Sequence, residues 1–164
     1  MSVLPDVIGP NLTVVFCGTA VSNESAQRKA YYAGPGNSFW KTLHDVGLTQ
    51  WRLEPEEYKS ITRYGLGLTD LVKTVSGTDA TLSRDHFNVE RFRKLILRHQ
   101  PKIVAFTSKT AAQKYVRHRV DYGLLKETIG KTKLHVLPSP SGAARRYWSD
   151  KPWRELARLS KILG

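Results

Sequence analysis

The sequence predicts an α/β fold, a three-layer α/β/α sandwich with a mostly parallel central sheet. Three observations lead there. Residues 12–17 (L-T-V-V-F-C) and 102–107 (K-I-V-A-F-T) are apolar runs without polar alternation, the pattern of strands covered on both faces. Residues 88–99 carry Phe92, Leu95 and Ile96 on one face and Arg91, Arg93, Lys94 and Arg98 on the other, an amphipathic helix between them. Strand-like and helix-like segments then keep alternating to the end, which builds a sheet with helices on its faces. At 164 residues, with no repeat, low-complexity stretch or linker, residues 1–164 suit a single domain with a real core.

In chain order, residues 1–10 read as an irregular lead-in containing Pro5 and Pro10. After the first strand, residues 18–25 read as a small, polar loop. Residues 38–46 predict a helix with Phe39, Trp40, Leu43 and Val46 on one face, and Gly47 as its stop. A second helix is expected from Pro55, a first-turn proline followed by Glu56 and Glu57, to Gly65. Residues 66–72 suit a strand or a buried extended segment, and residues 73–85 a polar loop. The amphipathic helix of residues 88–99 closes at Pro101. Residues 109–118 predict a shorter helix, 134–137 a strand, and 152–163 a last helix presenting Trp153, Leu156 and Leu159.

Lys and Arg total 26 against 14 acidic residues, so the net charge is +12. That balance points to a polyanionic partner, because basic surface gains affinity by releasing counterions from phosphates. The single cysteine, Cys17, excludes an internal disulfide, a four-thiolate cluster and a cysteine-rich zinc site, and fits a cytosolic setting. His44, His86, His99, His118 and His135 show no metal-ligand spacing, so no cofactor or metal is expected. No apolar run approaches the roughly 18 residues of a membrane span and no signal-peptide pattern opens the chain. The expectation is an intracellular protein without a membrane partner, nucleoid-associated if bacterial, and a monomer.

Two loops carry the chemistry. Residues 14–40 read V-V-F-C-G-T-A-V-S-N-E-S-A-Q-R-K-A-Y-Y-A-G-P-G-N-S-F-W. Here a buried strand breaks at Gly18, and Arg28, Lys29, Tyr31 and Tyr32 follow. Such loops, at the carboxyl ends of strands, are where open α/β sheets place ligands. An aromatic beside two cations suits a flat base on a phosphate backbone. An ordinary surface loop also fits. Asn37 reads first as the cap of the following helix. Residues 137–148 read L-P-S-P-S-G-A-A-R-R-Y-W. Ser139, Ser141 and Gly142 permit close backbone approach to a phosphate, and Arg145 and Arg146 add charge. A rigid turn is the plain alternative.

Taken as an ordered set, these motifs resemble the uracil-DNA glycosylase superfamily, in particular its mismatch-specific uracil and thymine-DNA glycosylase branch. That branch carries F-C-G-I-N-P-G, then N-R-F-W, a G-V-T-x-L-V element, and L-P-N-P-S-G. The counterparts here are Phe16-Cys17-Gly18-Thr19-Ala20-Val21-Ser22, then Asn37-Ser38-Phe39-Trp40, Gly67-Leu68-Thr69-Asp70-Leu71-Val72, and Leu137-Pro138-Ser139-Pro140-Ser141-Gly142. The resemblance implies a uracil-DNA glycosylase-like fold and an enzyme that extrudes uracil from DNA and hydrolyses its bond to deoxyribose. Its partner would be DNA containing uracil or abasic sites. Tyr32 would stack on the extruded base, and Gly18, Thr19, Ala20 and Asn37 would surround it. Ser139, Ser141, Gly142, Ala143, Ala144 and Arg145 would grip the strand, with Arg28 and Lys29 beside it. Two alanines make a small wedge for duplex invasion.

One position departs. The family's first motif supplies Asn or Asp to hold the attacking water, and this chain has Ala20; Ser139 stands where the late motif has Asn. Asn23 or Ser22, with Ser25 and Glu24 as further candidates, would have to hold the water, and slow turnover with retained abasic product would follow. A solvated turn residue is the plain reading of Asn23. The alternative function is a non-catalytic binder of uracil-containing or abasic DNA. Asp45, Asp70 and Asp85 lie outside the two loops and are not assigned as a base. His135, Trp51, Trp148 and Trp153 read as packing residues, and Arg117-His118-Arg119 as a solvated helix end or an addition to the DNA footprint.

Overall fold

Val14 and Phe16 of the first strand face one core while Val15 and Cys17 face another, as period-two alternation in a doubly covered strand requires. The computed structural model of the chain describes residues 2–164. Strands β1 (Val14–Gly18), β2 (Leu66–Asp70), β3 (Ile103–Phe106), β4 (Gly123–Ile129) and β5 (Thr132–Val136) form one sheet in the order β2-β1-β3-β5-β4. β1 runs parallel to β2 and β3, and β3 parallel to β5; only β4 is antiparallel, against β5. Helices α1 (Asn23–Arg28), α2 (Phe39–Asp45), α3 (Val89–His99), α4 (Lys109–Val116) and α5 (Lys151–Leu163) flank it. The expected α/β architecture is the observed one.

Each core belongs to one face. Phe39, Trp40 and Leu43 of α2 and Trp153 and Leu156 of α5 pack with Leu66, Leu68, Ile103 and Ala105 on the first. Phe92 and Ile96 of α3 and Ala111 and Ala112 of α4 pack with Val104, Phe106, Leu134 and Val136 on the second. The small alanines let α4 sit close to the sheet. His135 is buried, with Nε2 3.0 Å from the Pro152 carbonyl, a packing role as expected. Trp153 is buried and donates Nε1–H to Pro138 O at 3.2 Å; Trp148 packs partly buried beside it. Trp51 departs from expectation: it is 66% exposed.

Other differences have local causes. The loop expected over residues 18–25 turns into α1 because the Ser22 side chain accepts from Ser25 N at 3.1 Å and starts a helix too short to show periodicity. Residues 55–64 keep their expected bounds but form a 3-10 helix, capped by the Glu54–Glu57 pair and stopped by Gly65 at φ +74°. β4 escapes a pattern reading because it is an edge strand whose G-L-L-K-E-T-I sequence lacks apolar alternation, with a register shift between Leu124 and Thr128. It turns into β5 through Gly130, at φ +58°, and Lys131. The lead-in is irregular apart from a bridge in which Val7 and Leu68 exchange 2.8 Å bonds; Met1 lies outside the described residues.

That bridge explains Gly67. A Cβ there would lie 2.6 Å from Val7 O and 2.8 Å from Leu12 Cδ1. Gly67→Ala is therefore expected to destabilise the protein by about 1–3 kcal/mol, the usual cost of overpacking. A fall in the urea midpoint at constant m-value would register it.

Candidate active site

All four parallel strands deliver their carboxyl ends to one cavity of about 510 Å³. Gly18 to Ser22 enter from β1, Asp70 from β2, Thr107 and Ser108 from β3, and Ser139 to Ser141 from beyond β5. This is the carboxyl-edge crevice of an open α/β sheet. Hydrogen bonds weld its rim. Ser38 N donates to Pro140 O at 2.9 Å, Arg145 Nη2 donates to Gly36 O at 3.1 Å, and Gly142 packs on Gly36. Opposite them, Leu71 N, Val72 N and Gly77 N donate to the carbonyls of Gly18, Thr19 and Val21. Three of the first-loop carbonyls are thus occupied, and the amides of Thr19 and Ala20 take no part in that network.

Tyr32 forms one wall. Its ring stacks on Phe39 at 3.9 Å between centroids and 15° between planes, and Phe39 rests edge-on against Phe16. Its backbone is left-handed, φ +53°, an uncommon conformation for a bulky residue and one often found at functional sites. Its hydroxyl lies 3.2 Å from Thr107 Oγ1. Burial, with the Asp70 charge nearby, pushes its phenol above the ordinary range, so it remains protonated.

The floor holds a charge cluster that motif reading passed over. Asp70 is 3% exposed, and burial pushes its carboxyl up to about 6 despite Lys73 at 3.3 Å. Lys73 Nζ also lies 3.2 Å from Asp6 and donates to Tyr31 Oη at 2.9 Å. Arg91 pairs with Asp6 at 2.8 Å and donates to the Asp70 carbonyl at 2.8 Å. Burial raises the Asp6 carboxyl, but Lys73, Thr69 and Arg91 together outweigh it and hold that group below the usual value. A Cβ on Gly18 would stand 3.2 Å from Asp70 Oδ1, 3.4 Å from Thr107 Oγ1 and 3.5 Å from Tyr32 Oη. Three oxygens therefore converge at a position that only glycine leaves open.

The residues singled out in the sequence divide. Gly18, Thr19, Ala20, Ser22, Ser25, Tyr32, Asn37, Ser139, Ser141, Ala143 and Ala144 line the cavity. Several of these have structural duties there. Ser22 caps α1, Ser25 Oγ accepts from Ala33 N at 3.0 Å, and Asn37 Oδ1 accepts from Phe39 N at 2.9 Å. Thr19 donates to Asp79 at 2.6 Å. Asn23 lies outside the lining, exposed, accepting from Ser76 Oγ at 2.7 Å. Arg28 also lies outside, bound to Ala33 O at 2.6 Å and paired with Glu56 at 2.7 Å. Lys29 terminates α1 in a left-handed conformation away from the cavity. Gly142 and Arg145 tie the two loops without lining it.

Asp70, Thr107, Ser108, Asp79 and Tyr147 line the cavity and were missed. For Asp70 and Thr107 a signal existed, since each follows a buried apolar run at its carboxyl end, as Gly18 does. Asp70 lies outside the two loops in sequence, as expected, yet lines the cavity beneath them. Among the described residues no group of three or more His, Cys, Asp or Glu side chains is arranged to hold a metal ion, and no helix is long and apolar enough to cross a membrane.

The fold is similar to the solution NMR structure of a candidate uracil DNA glycosylase from Methanosarcina acetivorans, with a TM-score of 0.65 at 22% identity over 98% of this chain and 96% of that one. At that identity the likeness speaks for the fold. The sequence model of the Uracil DNA glycosylase superfamily matches residues 5–162, which include both loops and every strand that feeds the cavity. With nearly the whole chain covered, the protein belongs to the uracil-DNA glycosylase superfamily.

Proposed function

We propose that the protein removes uracil from DNA by hydrolysing the bond between base and deoxyribose, as a variant of the mismatch-specific branch in which Ala20 replaces the water-holding Asn or Asp. The observation that carries this reading is the buried Asp70 carboxylate at the floor of a cavity walled by the Tyr32 ring. An extruded base stacks on the ring face turned away from Phe39, and the amides of Thr19 and Ala20 meet its polar edge. Asp70, rather than Asn23, Ser22 or Ser25, faces the sugar and the attacking water. As the C1′–N1 electron pair leaves with uracil, the carboxylate stabilises the cation-like sugar. The water oxygen bonds to C1′ and its proton passes to Asp70, then to the departing base.

With two alanines, Ala143 and Ala144, entering the vacated stack, invasion of a duplex is weak, and single-stranded or mispaired uracil is the favoured substrate. Turnover is slow, and abasic product is retained on the late loop. The functional unit we propose is the monomer, acting on DNA inside the cell. One observation favours a second reading. Alanine at position 20 can neither hold nor activate water, which suits a protein that binds uracil or abasic DNA without cutting.

A single-turnover assay separates the two. Excess protein is incubated with a labelled uracil oligonucleotide, single-stranded and as a U·G duplex, followed by alkaline cleavage of abasic sites and a parallel gel shift. Scission above a protein-free control is expected. Binding without scission would leave the binder, and neither would overturn both readings.

A further inference from the structure

Outside the cavity, the strongest unassigned feature is a groove of about 600 Å³ beside the carboxyl half of α4, lined by Arg84, Phe87, Gln113, Lys114, Arg117 and Arg119 among others. Its walls continue those of the cavity. α4 lends Thr110 to the cavity and Gln113 and Lys114 to the groove. The segment after β2 lends Thr78, Asp79 and Ala80 to the cavity, then Arg84 and Phe87 to the groove.

The charge there is one-sided. Arg84, Lys114, Arg117 and Arg119 are exposed, and none makes an ion pair among the described residues. Lys114 Nζ lies 5.0 Å from the Phe87 ring centroid, which puts a cation and an aromatic face at the same wall. Among the described residues no carboxylate lines the groove, and Glu127 beside it is bound to His118. Cations strung along a groove with an aromatic surface match the phosphates and bases of an unpaired strand rather than one small anion.

We propose that this groove carries the single DNA strand flanking the nucleotide held in the cavity. The inference rests on reading the cavity as a site for a DNA base. It adds a second stretch of contact, roughly along α4, that neither of the two loops supplies. Each phosphate neutralised on a single strand contributes about −0.7 to the slope of log K against log salt.

The test uses full-length protein and uracil-free single-stranded oligonucleotides, lengthened stepwise on one side or the other of a fixed position, with affinity read by fluorescence anisotropy at several salt concentrations. The variant combines Arg84→Gln, Lys114→Gln and Arg117→Gln, all surface positions; an unchanged melting temperature confirms folding. Wild type is expected to gain affinity with extension on one side. The variant is expected to lose that gain, bind about tenfold more weakly and show a salt slope shallower by about 2. Equal affinity and slope for wild type and variant would overturn the groove whatever the excision assay shows, as would preserved length dependence in the variant. Failure of uracil release with the groove effect intact would overturn the excision reading alone.

Discussion

Asp70→Asn is expected to slow single-turnover uracil release by about 10²–10⁴-fold, the usual contribution of one positioned acid–base group. The amide keeps the shape of the carboxyl and its place beside Gly18, but cannot carry the negative charge or take the water's proton. The loss should fall on the rate constant for chemistry, with affinity for a uracil strand little changed. Unfolding would not imitate this result. Asp70 titrates near 6 in the folded protein against a usual 3.8. A carboxyl raised in this way contributes stability at low pH, fully present below the unfolded value and lost as pH rises through about 6. Above pH 6 the folded state therefore bears the cost of a buried carboxylate, and the neutral amide removes it. Lys73 keeps its partner Asp6 at 3.2 Å in the variant. The melting temperature near neutral pH is expected to hold or rise while the rate collapses.

Tyr32→Ala is the second large effect. Stacking of a base on an aromatic ring is worth about 1–3 kcal/mol, so affinity for uracil-containing strand should fall by about 5- to 150-fold. The variant also uncovers Phe39, which stacks beneath Tyr32 at 3.9 Å, and the left-handed backbone at position 32 gains nothing from alanine. Tyr32→Phe separates stacking from hydrogen bonding: it keeps the ring, loses only the 3.2 Å contact with Thr107, and should stay within a few-fold of wild type. A titration of fluorescent uracil oligonucleotide with the three proteins reads both changes. Equal affinity for wild type and Tyr32→Ala would remove Tyr32 from the site.

Sheet and loops were legible because their signals are local. The runs at residues 12–17 and 102–107 are apolar apart from Thr13, Lys102 and Thr107, the pattern of a strand covered on both faces. The two glycine- and proline-marked loops follow strands, so their convergence follows from parallel topology. Asp70 was not legible in the same way. Its place at the end of a strand is a local signal, but its importance arises from burial and from Lys73, three residues on, together with Asp6 and Arg91 from distant parts of the chain. Asn23 is the converse case: it belongs to the first loop in sequence, but Ser22 starts a helix there and Asn23 accepts from Ser76 outside the cavity lining. β4 was hidden because an edge strand facing solvent has no need of an apolar pattern.

The most direct test is the single-turnover rate of uracil release from a single-stranded oligonucleotide, measured for wild type and Asp70→Asn from about pH 5 to about pH 8. The carboxylate must be ionised to act, so the wild-type rate should rise with pH and level off above about 6, following the Asp70 titration. The variant should be slow and flat across the range. A variant that releases uracil at the wild-type rate, or keeps the same acid limb, would contradict the assignment of the chemistry to Asp70.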